Sequence, residues 1–176
     1  MNRIANWLST NDDRVFFVVN QQWRCKTLDV FFPKITHLGG AGFSLSLLFF
    51  IMLIFANDVR YWAIDAFISL SLSFVAVQII KKLSGRKRPY LTLPNVNICR
   101  NPLKDYSFPS GHTTAAFSIA VVFALHSPLL ALSVIPLASL VGVSRMYVGL
   151  HYPTDCFIGA LLGTISAILA VYYIYV

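Results

Sequence analysis

The sequence predicts an all-α fold, a polytopic transmembrane helical bundle, and three observations predict it. The 176-residue chain is 57% hydrophobic and 12% charged, with a mean hydropathy of +0.68. A soluble domain carries about 25% charged residues. Five apolar stretches reach or approach the roughly 20 residues that cross a bilayer as a helix. The polar side chains gather in three short strings at the ends of those stretches. The expectation is one membrane domain, 1–176, with five spanning helices behind an interfacial amphipathic helix.

The elements follow in chain order. In the N-terminal segment, 1–37, Val15, Phe16, Val18, Val19 and Trp23 alternate with Asn20, Gln21, Gln22 and Arg24. This pattern suits a helix lying in the membrane interface; a sixth, poorly apolar span is the alternative. No signal peptide is expected, because the Val15 to Val19 run is short and flanked by Asp12, Asp13 and Asn20. The first span runs from about Leu38 to Ala56 and is entered through Gly39-Gly40-Ala41-Gly42. The second covers about Tyr61 to Leu83. The third, Thr113 to His126, is short unless His112 and the turn before it dip into the membrane. The fourth is Pro128 to Tyr147, with Pro136 a kink point. The fifth runs from Asp155 to Val176, and its Gly159 and Gly163 suit close helix packing within the chain.

One connection is long. The loop 84–111 has 28 residues and carries Pro89, Pro94, Pro102 and Pro109. Long loops in compact domains tend to be functional. Strict alternation of spans sets the sides. The second span ends at Lys81, and the loop returns on the same side to Ser110-Gly111-His112. The third and fourth spans form a hairpin that comes back to Ser144-Arg145, and His151 and Asp155 open the fifth. All three polar strings therefore meet at one membrane face.

Each string has a chemistry. Lys81, Lys82, Arg86, Lys87 and Arg88 form a basic cluster at a helix end; alone, it reads as a patch drawn to anionic lipid heads. Arginine also suits forked contact with phosphate, and lysine a point charge. Pro109-Ser110-Gly111-His112 precedes an apolar helix. Ser110 is a natural N-cap, Gly111 permits close backbone approach, and free N–H groups at a helix start bind anions. His151 and Asp155 are four apart, with Pro153 suited to a first helical turn. A carboxylate bonded to one imidazole nitrogen fixes the tautomer and frees the other. Arg145 is too costly to bury without a partner. The balance of 14 Lys and Arg against 7 Asp and Glu favours anionic lipid or phosphate. Nucleic acid is excluded as a partner, since the polar surface lies against a bilayer. Cys25, Cys99 and Cys156 lack metal-ligand spacing and read as small hydrophobes.

Read together, the strings resemble the signature of the type 2 phosphatidic acid phosphatase superfamily. That signature is Lys-x6-Arg-Pro, Pro-Ser-Gly-His and Ser-Arg-x5-His-x3-Asp. Here it stands as Lys81 to Arg88-Pro89, Pro109-Ser110-Gly111-His112, and Ser144-Arg145 to His151 to Asp155, without departure. The resemblance weakens before Leu38, although Thr36-His37-Leu38-Gly39 also looks similar to the family.

The resemblance implies roles. His151 would be a nucleophile forming a phosphohistidine, Asp155 would orient it, and His112 would protonate the leaving oxygen and then activate water. Lys81, Arg88, Arg145, Ser110 and the Gly111 amide would hold phosphoryl oxygens. No metal or other cofactor is expected. The implied activity is hydrolysis of a membrane lipid phosphate or diphosphate. Undecaprenyl diphosphate, phosphatidylglycerol phosphate, phosphatidic acid and lipid A 1-phosphate are the candidates. Transfer to a lipid acceptor is one alternative, and a silent lipid-phosphate binding or transport protein is another. Retention of both histidines with Asp155 opposes the latter. The related vanadium haloperoxidases are soluble, which the hydropathy opposes. His37 is a weaker site candidate, His126 belongs to the far face, and Asp65 is roughly 24 Å from Lys81 along a helix. Tyr90, Leu91, Tyr106 and Phe108 are candidates for the headgroup entrance. Bacterial relatives imply a site facing outward across the cell membrane. The positive-inside count disagrees: 13 of the 14 Lys and Arg lie on the site side, Arg60 being the exception.

Overall fold

The computed structural model describes residues 3–99 and 104–173. All regular structure among the described residues is helical. Helix α1 (Arg3–Phe17) leads through a wide helical turn (Val18–Gln22) to α2 (Lys26–Ile35). A tight turn (Thr36–Gly39) precedes α3 (Ala41–Ile54). Then come α4 (Asp58–Ser84), the short α5 (Pro89–Thr92), α6 (Gly111–His126), α7 (Pro128–Tyr147) and α8 (Pro153–Tyr173).

Among the described residues three stretches are long and apolar enough to cross a membrane: Asp58–Thr92, which contains α4, then Pro128–Tyr147 and Pro153–Tyr173. Lys26–Gly39 with Ala41–Ile54 makes a fourth if the pair, bent by 59°, counts as one span. Helix α6 is apolar but has only 16 residues. Large apolar side chains such as Phe49, Leu53, Phe74, Leu83, Leu132 and Phe157 point outward. A soluble protein would bury these; a bilayer accepts them.

Lipid tails are as apolar as leucine, so helices in a bilayer are joined by close packing and hydrogen bonds. Helix α6 is the centre of that packing. Apart from Val122, its buried side chains are small: Thr113, Thr114, Ala115, Ala116, Ser118 and Ala120. Helix α8 meets it through Gly159 and Gly163. A Cβ on Gly163 would stand 2.5 Å from the Thr114 carbonyl oxygen, and one on Gly159 2.7 Å from that of Ser110. Both obstacles are backbone, so glycine is required. Ser69 Oγ adds a hydrogen bond from α4 to the Ser118 carbonyl at 3.2 Å. At the far end Asp65 pairs with His126 at 2.8 Å, and Trp62 stacks on that imidazole.

Two expectations need correction. The N-terminal pattern put Asn20 on the polar face of an interfacial helix. Asn20 is instead fully buried, while Val15 and Trp23 are exposed. Its Nδ2 donates to the carbonyls of Tyr147 (2.8 Å) and Asn97 (3.0 Å), and its Oδ1 accepts from the Asn97 amide (2.9 Å). Two loops with unmet backbone groups draw the amide inward. The cysteines are free, but only Cys156 is buried; Cys25 is exposed.

Candidate active site

The basic string ends α4 and turns into the loop. Lys81 lies one turn before the end of α4, and Pro89 starts α5, leaving Arg88 extended between them. Arg88 is 1% exposed and Lys81 8%. Burial of these cations is offset by a residue absent from the sequence reading, Asp105. Its Oδ1 accepts from Arg88 Nη2 at 2.6 Å, and its Oδ2 accepts from Lys81 Nζ. Burial alone would raise the Asp105 carboxyl; the Lys81 hydrogen bond and the Arg88 and Lys81 charges outweigh it and hold it at about 2.

Helix α6 begins at Gly111, with Ser110 at its cap position. The Ser110 hydroxyl makes no capping bond, contrary to expectation. It accepts from Thr113 Oγ1 at 3.0 Å, and the Ser110 amide donates to the Asp155 carbonyl, also at 3.0 Å. The starts of α6 and α8 are thereby tied together. His112 lies beside the Thr36–Gly39 turn, where a Cβ on Gly39 would come within 2.4 Å of the His112 carbonyl oxygen. Thr36 Oγ1 accepts from Arg145 Nη1 at 2.6 Å. The weaker Thr36-His37-Leu38-Gly39 string is thus structural support, with His37 exposed.

His151 falls before α8, because the helix starts at Pro153. The pair therefore meets across the start of α8 rather than along one helix face, at ion-pair distance and not through a hydrogen bond. Asp155 Oδ2 is 3.6 Å from His151 Nδ1 and accepts instead from the Tyr152 amide at 2.8 Å. The partner of Nδ1 is the Ser107 carbonyl, at 2.7 Å. A carbonyl only accepts, so Nδ1 carries the proton and Nε2 the lone pair. Nε2 faces Arg88 Nη1 at 3.2 Å. Burial first, then the Arg145, Arg88 and Lys81 charges, holds the imidazole well below its usual pKa. At neutral pH it is uncharged.

A second network lies behind this one. Arg86 Nη1 donates to Asp155 Oδ1 (2.7 Å) and Thr154 Oγ1 (2.8 Å), and Nη2 donates to Asp12 Oδ2 (2.7 Å). Its guanidinium lies 4.0 Å from the centre of the Tyr152 ring. Asp12, on α1, is 4% exposed and also accepts from the Thr154 amide at 2.9 Å.

Of the residues singled out in the sequence, Lys81, Arg88, Gly111, His112 and His151 line one cavity of about 660 Å³. Ser110, Arg145 and Asp155 are buried and stand outside its lining. The cavity continues from these polar groups between α3, α4 and α6, past Val77 and Phe74 to Phe67 and Leu45. Asp105, Asp12 and Ser107 are the parts that the motif reading lacked, while Arg86 stood in the basic cluster and Thr36 in the weaker string without these partners.

Fold and pocket together define a helical membrane protein with a cationic, two-histidine cavity at one end of the bundle. The PAP2 superfamily model matches residues 62–176, and the chain belongs to that superfamily. It is 42% identical over 102 residues to the bacitracin transport permease protein BcrC of Bacillus licheniformis, covering 55% of this chain and 50% of that one. It is 34% identical over 122 residues to an undecaprenyl-diphosphatase of Sulfolobus acidocaldarius, covering 68% and 59%. The chain thus spans half to three fifths of the length of these curated relatives. The crystal structure of Aquifex aeolicus LpxE superposes with a TM-score of 0.79 at 33% identity, covering 91% of this chain and 94% of that one.

Proposed function

We propose that this chain is an integral membrane phosphatase that acts on a lipid phosphate or lipid diphosphate through a phosphohistidine. The observation that carries the reading is the single cavity, polar at His151, His112, Arg88 and Lys81 and apolar at Phe74, Phe67 and Leu45. That is the profile of an amphiphile with a phosphate head. Membership of the superfamily supports it, as does likeness to an undecaprenyl-diphosphatase.

In this mechanism His151 Nε2 attacks phosphorus while the bond to the leaving oxygen breaks. His112 gives that oxygen its proton. Nδ1 keeps its proton, hydrogen-bonded to the Ser107 carbonyl, so the phosphorylated ring is cationic, and Asp155 at 3.6 Å balances it. His112 then takes a proton from water, the water oxygen bonds to phosphorus, and the Nε2–P bond breaks to release phosphate. Lys81, Arg88, Arg145 and the Gly111 amide stabilise charge on the phosphoryl oxygens. Such stabilisation dominates catalysis of phosphoryl transfer.

The proposal extends to topology. Residues 1–176 form one domain of five spans, with α3 and the short α6 crossing beside α4, α7 and α8. Segment 1–37 lies at the interface, loop 84–111 covers the headgroup side, and the site faces outward from the cell membrane. The test is phosphate release from a panel of lipid phosphates by the purified chain, with His151→Ala beside it. Turnover should vanish in the variant, together with an acid-labile, alkali-stable phosphoprotein seen in the wild type. A folded His151→Ala chain with near-normal hydrolysis would sink the mechanism, and phosphorylated lipid products in place of free phosphate would make the chain a transferase.

A further inference from the structure

Arg88 has five N–H donors, and five acceptors face them. Nε donates to the Asp105 carbonyl (2.8 Å). Nη1 faces the Leu150 carbonyl (2.8 Å) and His151 Nε2 (3.2 Å). Nη2 faces the Tyr106 carbonyl (3.3 Å) and Asp105 Oδ1 (2.6 Å). Lys81 Nζ donates to Asp105 Oδ2 and to the Tyr106 carbonyl, the latter at 3.0 Å. The carbonyls are fixed by the backbone. The Asp105 carboxylate is the one anion in the set and the one that can rotate away; its side chain is 52% exposed and lines the cavity. It bridges the two cations that a phosphoryl group would bridge. With Asp105 in place, Arg88 directs an N–H at the His151 lone pair.

We infer that Asp105 is a built-in competitor for phosphate: its carboxylate occupies the Lys81–Arg88 cradle, and a substrate phosphoryl group binds by displacing it. This deepens the proposed function and rests on it. The displacement cost is common to every anion, so it leaves their ranking unchanged and sets a threshold. A phosphomonoester carries nearly two negative charges at neutral pH and can exceed that threshold. A phosphodiester carries one, as the carboxylate does, and gains little by exchange. The bilayer around the cavity is dense with phosphodiester headgroups, so Asp105 determines that ordinary phospholipids leave the pocket open.

The test is calorimetric binding of inorganic phosphate and of dimethyl phosphate, a soluble phosphodiester, to the detergent-purified full chain at about pH 8. Wild type should bind phosphate and show little binding of dimethyl phosphate. Asp105→Asn should tighten both by a similar factor, about tenfold or more, bringing dimethyl phosphate into range. Asp105→Ser should do the same. Unchanged or weaker phosphate binding in a folded variant overturns the inference, since Asp105 would then be a bystander or an organiser of the cations. Wild type labelled with ¹³C at aspartate Cγ gives a reading independent of any variant. Saturating phosphate should move one carboxyl resonance to a solvent-exposed position, and a spectrum without that movement also overturns the inference. These arms read binding alone. A chain that binds as stated but hydrolyses no lipid phosphate refutes the phosphatase reading and leaves Asp105 in its role.

Discussion

The imidazole of His151 has Nδ1 committed to the Ser107 carbonyl and Nε2 turned toward Arg88. In the proposed mechanism attack therefore comes from Nε2, and the proton for the leaving group must come from elsewhere. His112 lines the same cavity and is the candidate donor. A lipid alkoxide is a poor leaving group and needs the proton; an aryl phenolate departs without it. His112→Ala should therefore lose phosphorylation rate on a lipid monophosphate by about 10²-fold more than on an aryl phosphate, the usual scale of general acid catalysis. Rapid-quench measurement of the phosphorylation step checks this, because the proposed mechanism also uses His112 in the later hydrolysis. Equal losses on both substrates would assign His112 to positioning. These histidines were legible in the sequence because charge beside a spanning segment is rare and its spacing is informative. Ser107 was not, since it acts through a backbone carbonyl that any residue possesses. Asp105 was not, because nothing in a proline-rich loop of 28 residues fixes which side chain folds back.

At the scale of elements, hydropathy made the second, fourth and fifth expected spans legible among the described residues, and the fourth has the same bounds in sequence and structure; α3 counts as a span only with the bent helix before it, and the 16-residue α6 falls short. The N-terminal elements were not legible, because their docking depends on polar residues turned inward. Asp12 of α1 holds Arg86, which holds Asp155 at the start of α8. Arg86 touches no cavity wall, so it acts on the reaction through Asp155. Arg86→Gln leaves the buried Asp155 without its cation and lets the start of α8 shift. A misplacement of about 1 Å can cost 10²-fold. The expected result is a kcat lower by about that factor with KM within about twofold, partly restored in Arg86→Lys. A risen KM with unchanged kcat would instead place Arg86 among the phosphate-binding cations. The same network explains why α1 packs on α8 although its sequence carries no spanning signal.

For the whole molecule, the open contest is between charge and lineage over which way the site faces. The positive-inside rule counts Lys and Arg near span ends and gives little weight to acids. On the five-span reading of the sequence, 13 of the 14 would fall on the site side, which by that count belongs in the cytoplasm. The structure gives five of them another purpose. Lys81 and Arg88 line the cavity and Arg145 is buried beside it. Arg86 braces Asp155, and Arg24 pairs with Asp29 at 2.6 Å. Charges retained for binding or bracing are poor witnesses to insertion, so the bias that remains is smaller than the count. Cys25 is a native probe of the answer. It is exposed and lies beside Arg24, which bonds the Tyr147 carbonyl at the site end of α7, while Cys156 is buried. In intact cells a membrane-impermeant maleimide should label Cys25. Asn57→Cys, placed at the opposite end in a Cys25→Ser chain, should label only after permeabilisation. The reverse pattern would put the phosphate site in the cytoplasm and make the charge count the better guide.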